Sequence, residues 1–249
     1  MTSKPIAILS ALAQEQGGLV DHLSDAQLVK RAGREFWTGT LRGRPLVLGL
    51  SHIGKVAAAT TTAAMIEGFG VSHVVFTGVA GGVGDGVCVG DVVVGSGFIQ
   101  HDMDASPLFP RFEVPLYQKA HFDGDADLTQ LLFQASQTAV SHATLIARQA
   151  TVHLGLIASG DQFISGVEQS KAIVNALRAC GHTPLAVEME GAAVAQVCAD
   201  YGIPFAAVRT ISDRADATAH VDFSQFVVDV ASVYAESIVN ELIELLQKS

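Results

Sequence analysis

The chain has 249 residues, 49% of them hydrophobic and 16% charged, and a formal net charge of −10. That length fits one large domain or two small ones with ample material for a core. The negative balance argues against a nucleic-acid surface and against an anionic membrane, so neutral or zwitterionic small molecules are the easier partners. Three distant cysteines, Cys88, Cys180 and Cys198, form no CxxC pair. They supply neither a disulfide framework nor a zinc site and read as small apolar fillers in a reducing cytosol. Lys4 precedes an apolar stretch that Gln14, Glu15 and Gln16 cut too early for a signal peptide. The apolar region from Val71 to Ile99 is broken by Asp85, Asp91 and glycines, short of the ~20 uninterrupted residues that a membrane span needs.

In chain order, β-branched runs alternate with alanine-rich amphipathic stretches. A strand is predicted over Ile6 to Ser10, then a helix over Gln14 to Leu23. Glu35 to Leu41 and Arg44 to Ser51 read as an antiparallel hairpin turning at Arg42-Gly43. A helix follows over Lys55 to Phe69, then strands over His73 to Gly78 and Asp91 to Ile99. Next come a helix over Ala126 to His142, a strand over His153 to Ser159, and helices over Val167 to Cys180 and Gly191 to Tyr201. A strand over Phe205 to Ile211 and a helix over Phe223 to Gln247 complete the chain; Phe226, Val230, Val233, Ile238 and Leu242 share one face of that helix. The alternation predicts a single α/β domain over residues 1–249, with a central twisted sheet covered by helices on both faces. The hairpin makes that sheet mixed.

Sheets of this kind bind ligands beyond the carboxyl ends of their strands, so the segments leaving each strand carry the information. Glu15 follows the first strand, Gly78-Val79-Ala80-Gly81-Gly82 the Phe76 strand, and Gly160-Asp161-Gln162-Phe163-Ile164 the His153 strand. Glu188-Met189-Glu190 precedes the Gly191 helix, and Ser212-Asp213 follows the last strand. Glu188 and Glu190 share a face if the segment is extended, or they offset the helix dipole. Asp213 is either a helix cap or an acid whose pKa burial and neighbouring carboxylates raise. Glu15 is a helix first-turn charge or a member of the same acid group. Arg209, in an apolar strand, needs a carboxylate partner, for which Glu15 or Glu190 is the natural candidate. The glycine run matches neither GxxxxGK[ST] nor GxGxxG. The nine histidines show no metal spacing, and His101-Asp102 with Asp104 reads as a loop of solvated charges.

Seven blocks in order carry a resemblance. They are Ile8-Leu9-Ser10-Ala11-Leu12 with Glu15, Gly54-Lys55-Val56-Ala57-Ala58-Ala59, Thr77-Gly78-Val79-Ala80-Gly81-Gly82 and Val89-Gly90-Asp91-Val92-Val93-Val94. Then follow Ser159-Gly160-Asp161-Gln162-Phe163-Ile164, Val187-Glu188-Met189-Glu190 and Arg209-Thr210-Ile211-Ser212-Asp213. In these the chain resembles the 5′-methylthioadenosine/S-adenosylhomocysteine nucleosidases of the purine nucleoside phosphorylase-like superfamily, nearly end to end. The resemblance implies a three-layer sandwich and hydrolysis of the bond between adenine and a 5′-modified ribose, with no metal and no cofactor. It implies that Glu15, steadied by Arg209, activates water, and that Glu190 accepts hydrogen bonds from the ribose hydroxyls while Met189 packs on the sugar. Asp213 would protonate adenine N7, held by Ser212 and a backbone N–H near Ala215. Phe163 would stack on the purine, the Ile164 backbone would read its edge, and Glu188, Val79, Ala80 and Gly81 would line the site.

Related phosphorylases place an Arg before the glycine loop to hold phosphate, whereas this chain has Phe76, which favours water as nucleophile. Two features depart from the family pattern. Val79 stands where many relatives carry Ser, and the segment from His101 to Pro115 differs from theirs. In the family that segment reaches across a dimer interface toward the 5′-substituent. A cytoplasmic homodimer is implied, with methylthioadenosine, S-adenosylhomocysteine, 5′-deoxyadenosine and aminodeoxyfutalosine as candidate substrates. A phosphorylase or a non-catalytic nucleoside-binding protein are the competing readings.

Overall fold

The computed structural model describes residues 3–143, 149–215, 226 and 230–248. Its backbone is one mixed sheet clothed by helices on both faces. The strands are β1 (Ile6–Ser10), β2 (Ser24–Arg31), β3 (Arg34–Leu41), β4 (Arg44–Leu50), β5 (His73–Gly82), β6 (Val92–Gln100), β7 (His121–Asp123), β8 (Val152–Ser159), β9 (Pro184–Glu188) and β10 (Phe205–Asp213). The helices are α1 (Ala13–Gln16), α2 (Lys55–Phe69), α3 (Ala126–His142), α4 (Val167–Ala179), α5 (Gly191–Tyr201) and α6 (Ser232–Lys248).

Side chains alternate across the central strands because successive residues point to opposite faces. Val74 and Phe76 of β5, with Ala207 and Ile211 of β10, pack toward α2 and α5. Val75 of β5, with Ala206 and Val208 of β10, packs toward α3 and α6. Burial on both faces explains why β1, and β10 as far as Val208, read as continuous apolar runs. The β3–β4 hairpin turns at Arg42 and Gly43, both at positive φ (50° and 79°), the geometry that suits a two-residue connection.

The sheet also closes on itself. β10 pairs with β5 in parallel and with β6 antiparallel, β6 continues through β8 to β9, and β9 returns to β5. That last pairing joins only Gly81 to Val187 and Gly82 to Ala186. It is antiparallel, so the carboxyl-terminal tips of β5 and β9 meet head to head. The exits of two oppositely running strand groups therefore face one cleft.

Several expectations need correction. The first helix stops at Gln16 instead of Leu23, because Gly17 turns at φ 60° and a Cβ there would lie 2.7 Å from the Ser232 carbonyl oxygen. β5 runs on through the glycine run, and β10 includes Ser212 and Asp213, which the sequence assigned to a loop. β2, β7 and β9 were not anticipated; β2 is a polar, largely exposed edge strand. In α6 the buried stripe is Tyr234, Ala235, Ile238, Val239, Leu242 and Ile243, while Val233 is exposed. Apart from Phe226, the part of that predicted helix before residue 230 lies outside the described residues. Cys198 is buried as expected of a filler, but Cys88 and Cys180 are exposed. No helix among the described residues is long and apolar enough to cross a membrane.

Candidate active site

The strand exits enclose a cleft lined by Glu15, Val79, Ala80, Gly81, Phe163, Ile164, Glu188, Met189, Glu190, Ser212 and Asp213, with Ala11, Leu12, Ile53, Gln162 and Val187 completing the wall. Every predicted site residue except Arg209 thus faces one space. Arg209 lies beneath it, fully buried.

Glu15 sits in the single turn of α1 and folds back on the start of that turn. Its Oε2 accepts from the backbone N–H groups of Ala11 (3.0 Å) and Leu12 (2.7 Å), and its Oε1 from Val79 (3.1 Å). Burial raises its pKa; the charge of Arg209 and the three backbone donors oppose that rise without cancelling it. Gly78 leaves the room this requires, since a Cβ there would lie 3.1 Å from Glu15 Oε1.

Asp213 ends β10 beside Gly81 of β5. Ser212 Oγ donates to its Oδ2 and the Ala215 N–H to its Oδ1, both at 2.7 Å. A Cβ on Gly81 would approach Asp213 Oδ1 to 3.0 Å and Ala215 Cβ to 2.9 Å, so glycine is what lets the two parallel strands bring this carboxyl to the cleft floor.

Glu188 and Glu190 take different parts although two residues apart. Glu188 turns down toward Arg209, whose Nη2 lies 2.8 Å from its Oε2, and accepts from Ser159 Oγ and from the backbone N–H of Gly191. The expectation that Arg209 pairs with Glu15 or Glu190 is therefore corrected. The β8–β9 register sets Ser159 against Glu188, and the first N–H groups of α5 hold the same carboxylate, fixing it over the guanidinium. Arg209 Nη1 is occupied by the Phe76 and Val208 carbonyls, and its guanidinium lies over the Phe76 ring at 4.1 Å. Glu190, at the start of α5, accepts from the Gly54 N–H at 2.7 Å. Burial first, then the charge of Glu188, raises its pKa to about 8.

Phe163 is half exposed at the cleft mouth, whereas Ile164 is buried. Gly54, Ile53, Leu12 and Gln162 were given no role from sequence. Gly54, Leu12 and Gln162 stand in segments that resemble the family, which is the signal they carry; Ile53 carries none of its own. The lining described holds four carboxyl groups and no Lys or Arg side chain. Among the described residues no group of His, Cys, Asp and Glu is arranged to hold a metal ion. Such a cleft offers one wall of acids, an aromatic lip and backbone N–H groups. It suits a neutral ligand that develops positive charge.

Residues 5–244 match the family model described as the phosphorylase superfamily, which sets the class. The 5′-methylthioadenosine/S-adenosylhomocysteine nucleosidase of Shewanella denitrificans is 37% identical over 96% of this chain and 99% of its own length. The nucleosidase of the same description from Neisseria meningitidis, solved with methylthio-immucillin-A, superposes with a TM-score of 0.86 at 34% identity, covering 98% of this chain and all of that one. Futalosine hydrolase of Helicobacter pylori is also similar, with a TM-score of 0.85 at 30% identity over 97% of this chain and 98% of its own. The chain belongs to the 5′-methylthioadenosine/S-adenosylhomocysteine nucleosidase family.

Proposed function

We propose that the protein hydrolyses the N-glycosidic bond of 5′-methylthioadenosine and S-adenosylhomocysteine, releasing adenine and the 5′-substituted ribose. One observation carries the reading: Glu15, Glu190 and Asp213 line a single cleft whose described wall holds no cationic side chain. The substrates named for the relatives and the analogue bound to the Neisseria protein support it.

In this reading Asp213 donates a proton to adenine N7, because adenine is a poor leaving group as an anion. Ser212 Oγ and the Ala215 N–H hold the carboxyl in place for that transfer. The sugar becomes oxocarbenium-like, and the surrounding carboxylates favour its positive charge. Glu15, raised by burial toward a useful basicity, takes a proton from the attacking water. Glu190 accepts from the ribose hydroxyls, Met189 packs on the sugar, Phe163 stacks on the purine and the Ile164 backbone reads its edge. Arg209 acts one layer down, holding Glu188 and lending positive charge to Glu15 through space. The chain works as one domain, within a homodimer in the cytoplasm, without metal or cofactor.

The deciding assay measures adenine release from methylthioadenosine, S-adenosylhomocysteine, 5′-deoxyadenosine and aminodeoxyfutalosine, each with and without phosphate. Release from the first two, independent of phosphate, is expected. A ribose 1-phosphate product would instead make the protein a phosphorylase, and binding without any release would make it a non-catalytic nucleoside-binding protein. Strong preference for aminodeoxyfutalosine would make it an aminodeoxyfutalosine nucleosidase, a second reading that the likeness to futalosine hydrolase favours.

A further inference from the structure

Three chain segments that border the cleft are tied by a closed cycle of hydrogen bonds. The Lys55 backbone N–H donates to Asp161 Oδ1 at 2.8 Å. The Asp161 backbone N–H donates to Asp102 Oδ2 at 2.9 Å. Lys55 Nζ donates to Asp102 Oδ1 at 2.6 Å, closing the ring. Each member comes from a different place: the first residue of α2, the exit of β6 and the exit of β8.

The Asp102 carboxylate is not the solvated loop charge that the sequence suggested. Burial alone would raise its pKa, but the Lys55 ammonium and the Asp161 N–H outweigh that and hold it below the ordinary Asp value. The Lys55 side chain is only 16% exposed. It also donates to Gln100 Oε1, and Gln100 Nε2 donates to Gln196 Oε1 on α5, so the same cation anchors a fourth element.

Both ends of the cycle lead into the cleft. Gly54, the residue before Lys55, donates its N–H to Glu190. Asp161 lies two residues before Phe163 and three before Ile164. Between Asp161 and Ser159 the chain passes against the buried His101 ring, which leaves no space for a Cβ on Gly160. The path of this loop is thus set from the Asp102 side.

We propose that Asp102 is a positioning residue: through Lys55 and Asp161 it fixes the Gly54 N–H that aims Glu190 and the loop that presents Phe163 and Ile164. The proposal rests on the reading that Glu190 grips the sugar and the loop holds the base. It makes sugar and base recognition depend on one carboxylate that touches neither.

The test uses Asp102→Ala, Asp161→Ala, the double variant and the conservative Asp102→Asn. Each is assayed for adenine release from methylthioadenosine, titrated with free adenine by calorimetry, and melted. The two single alanine variants are expected to lose between ~10- and ~100-fold in kcat/KM, mostly through KM, and to bind adenine more weakly. The double variant should lose no more than the worse single one, because one ring is broken once. Asp102→Asn should recover part of the loss by retaining an oxygen for the Asp161 N–H. Melting midpoints should fall only modestly, since Asp102 is partly exposed and Gln100 still accepts from Lys55 Nζ once Asp102 is removed. Unchanged kcat/KM and adenine affinity in a folded Asp102→Ala overturns the proposal, as do losses that multiply in the double variant. If Asp102→Ala does not fold, Asp102→Asn is judged by the same criteria. If the wild type leaves methylthioadenosine intact yet binds adenine, the functional reading falls alone and adenine affinity decides on Asp102; if adenine is not bound either, both fall.

Discussion

Arg209 Nη2 stands 2.8 Å from Glu188 Oε2, and both side chains are almost wholly out of reach of water. The remaining donors described on the guanidinium are spent on the Phe76 and Val208 carbonyls. Glu188 in turn accepts from the Glu190 and Gly191 N–H groups at the start of α5. The pair therefore welds β10 to the β9–α5 corner. Breaking it by Arg209→Met or Glu188→Gln should cost about 3–5 kcal/mol, because one charge or polar group is left stranded. The Arg209→Met/Glu188→Gln double variant should recover part of that. Denaturant unfolding of the three variants checks it; additive losses in the double variant would contradict a direct pairing.

The same occupancy bears on the nucleophile. A guanidinium committed to Glu188 and two carbonyls cannot swing out to hold phosphate, and Phe76 fills the space beneath it. Turnover of methylthioadenosine is expected to be the same in phosphate as in a phosphate-free buffer at equal ionic strength, with free sugar as product. Chromatography of the sugar product separates the two outcomes.

Asp213→Asn keeps the shape of the side chain but removes the proton that the proposed mechanism delivers to the purine. The expected result is a ~10²–10⁴-fold fall in kcat with KM within a few-fold and an unchanged melt. Glu15→Gln should depress kcat in the same way. A change confined to KM would remove Glu15 from the chemical step.

Glu190 makes stability depend on pH with a definite sign. Its pKa is raised to about 8 in the folded protein, above the ordinary value of 4.5, and that of Glu15 is raised too. Between those limits the native state keeps a proton that the unfolded chain has given up. Stability then falls as pH climbs from about 4.5 to about 8. Glu190→Gln should melt above the wild type, with a gap that widens from pH 5 to pH 9. A gap that is constant across this range would mean that Glu190 ionises normally.

Legibility followed burial. β1, β4 and the first half of β10 are apolar runs at the centre of the sheet, and the sequence marks them plainly. β2 is Ser-Asp-Ala-Gln-Leu-Val-Lys-Arg, nearly all exposed, and it becomes a strand only by pairing with β3 at the sheet edge. β9 is five residues long, too short to display a period. At the cleft, reading the strand exits located Glu15, Glu190 and Asp213. The partner of Arg209 was misassigned: the sequence pointed to Glu15 or Glu190, and Glu188 stands out only once the β8–β9 register sets it against Ser159 and turns it toward the guanidinium. Asp102 was hidden for a related reason: a charge in a loop looks the same whether it faces water or a lysine from a distant helix.

The double pairing of β10, with β5 on one side and β6 on the other, has a temporal consequence. Glu15 arrives with the first strand and Asp213 with the last, and β10 must slot between β5 and β6 before the two acids face a common space. A chain cut short before β10 therefore holds Glu15 with no Asp213 beside it, and under the proposed mechanism such an unfinished polypeptide would leave nucleosides untouched.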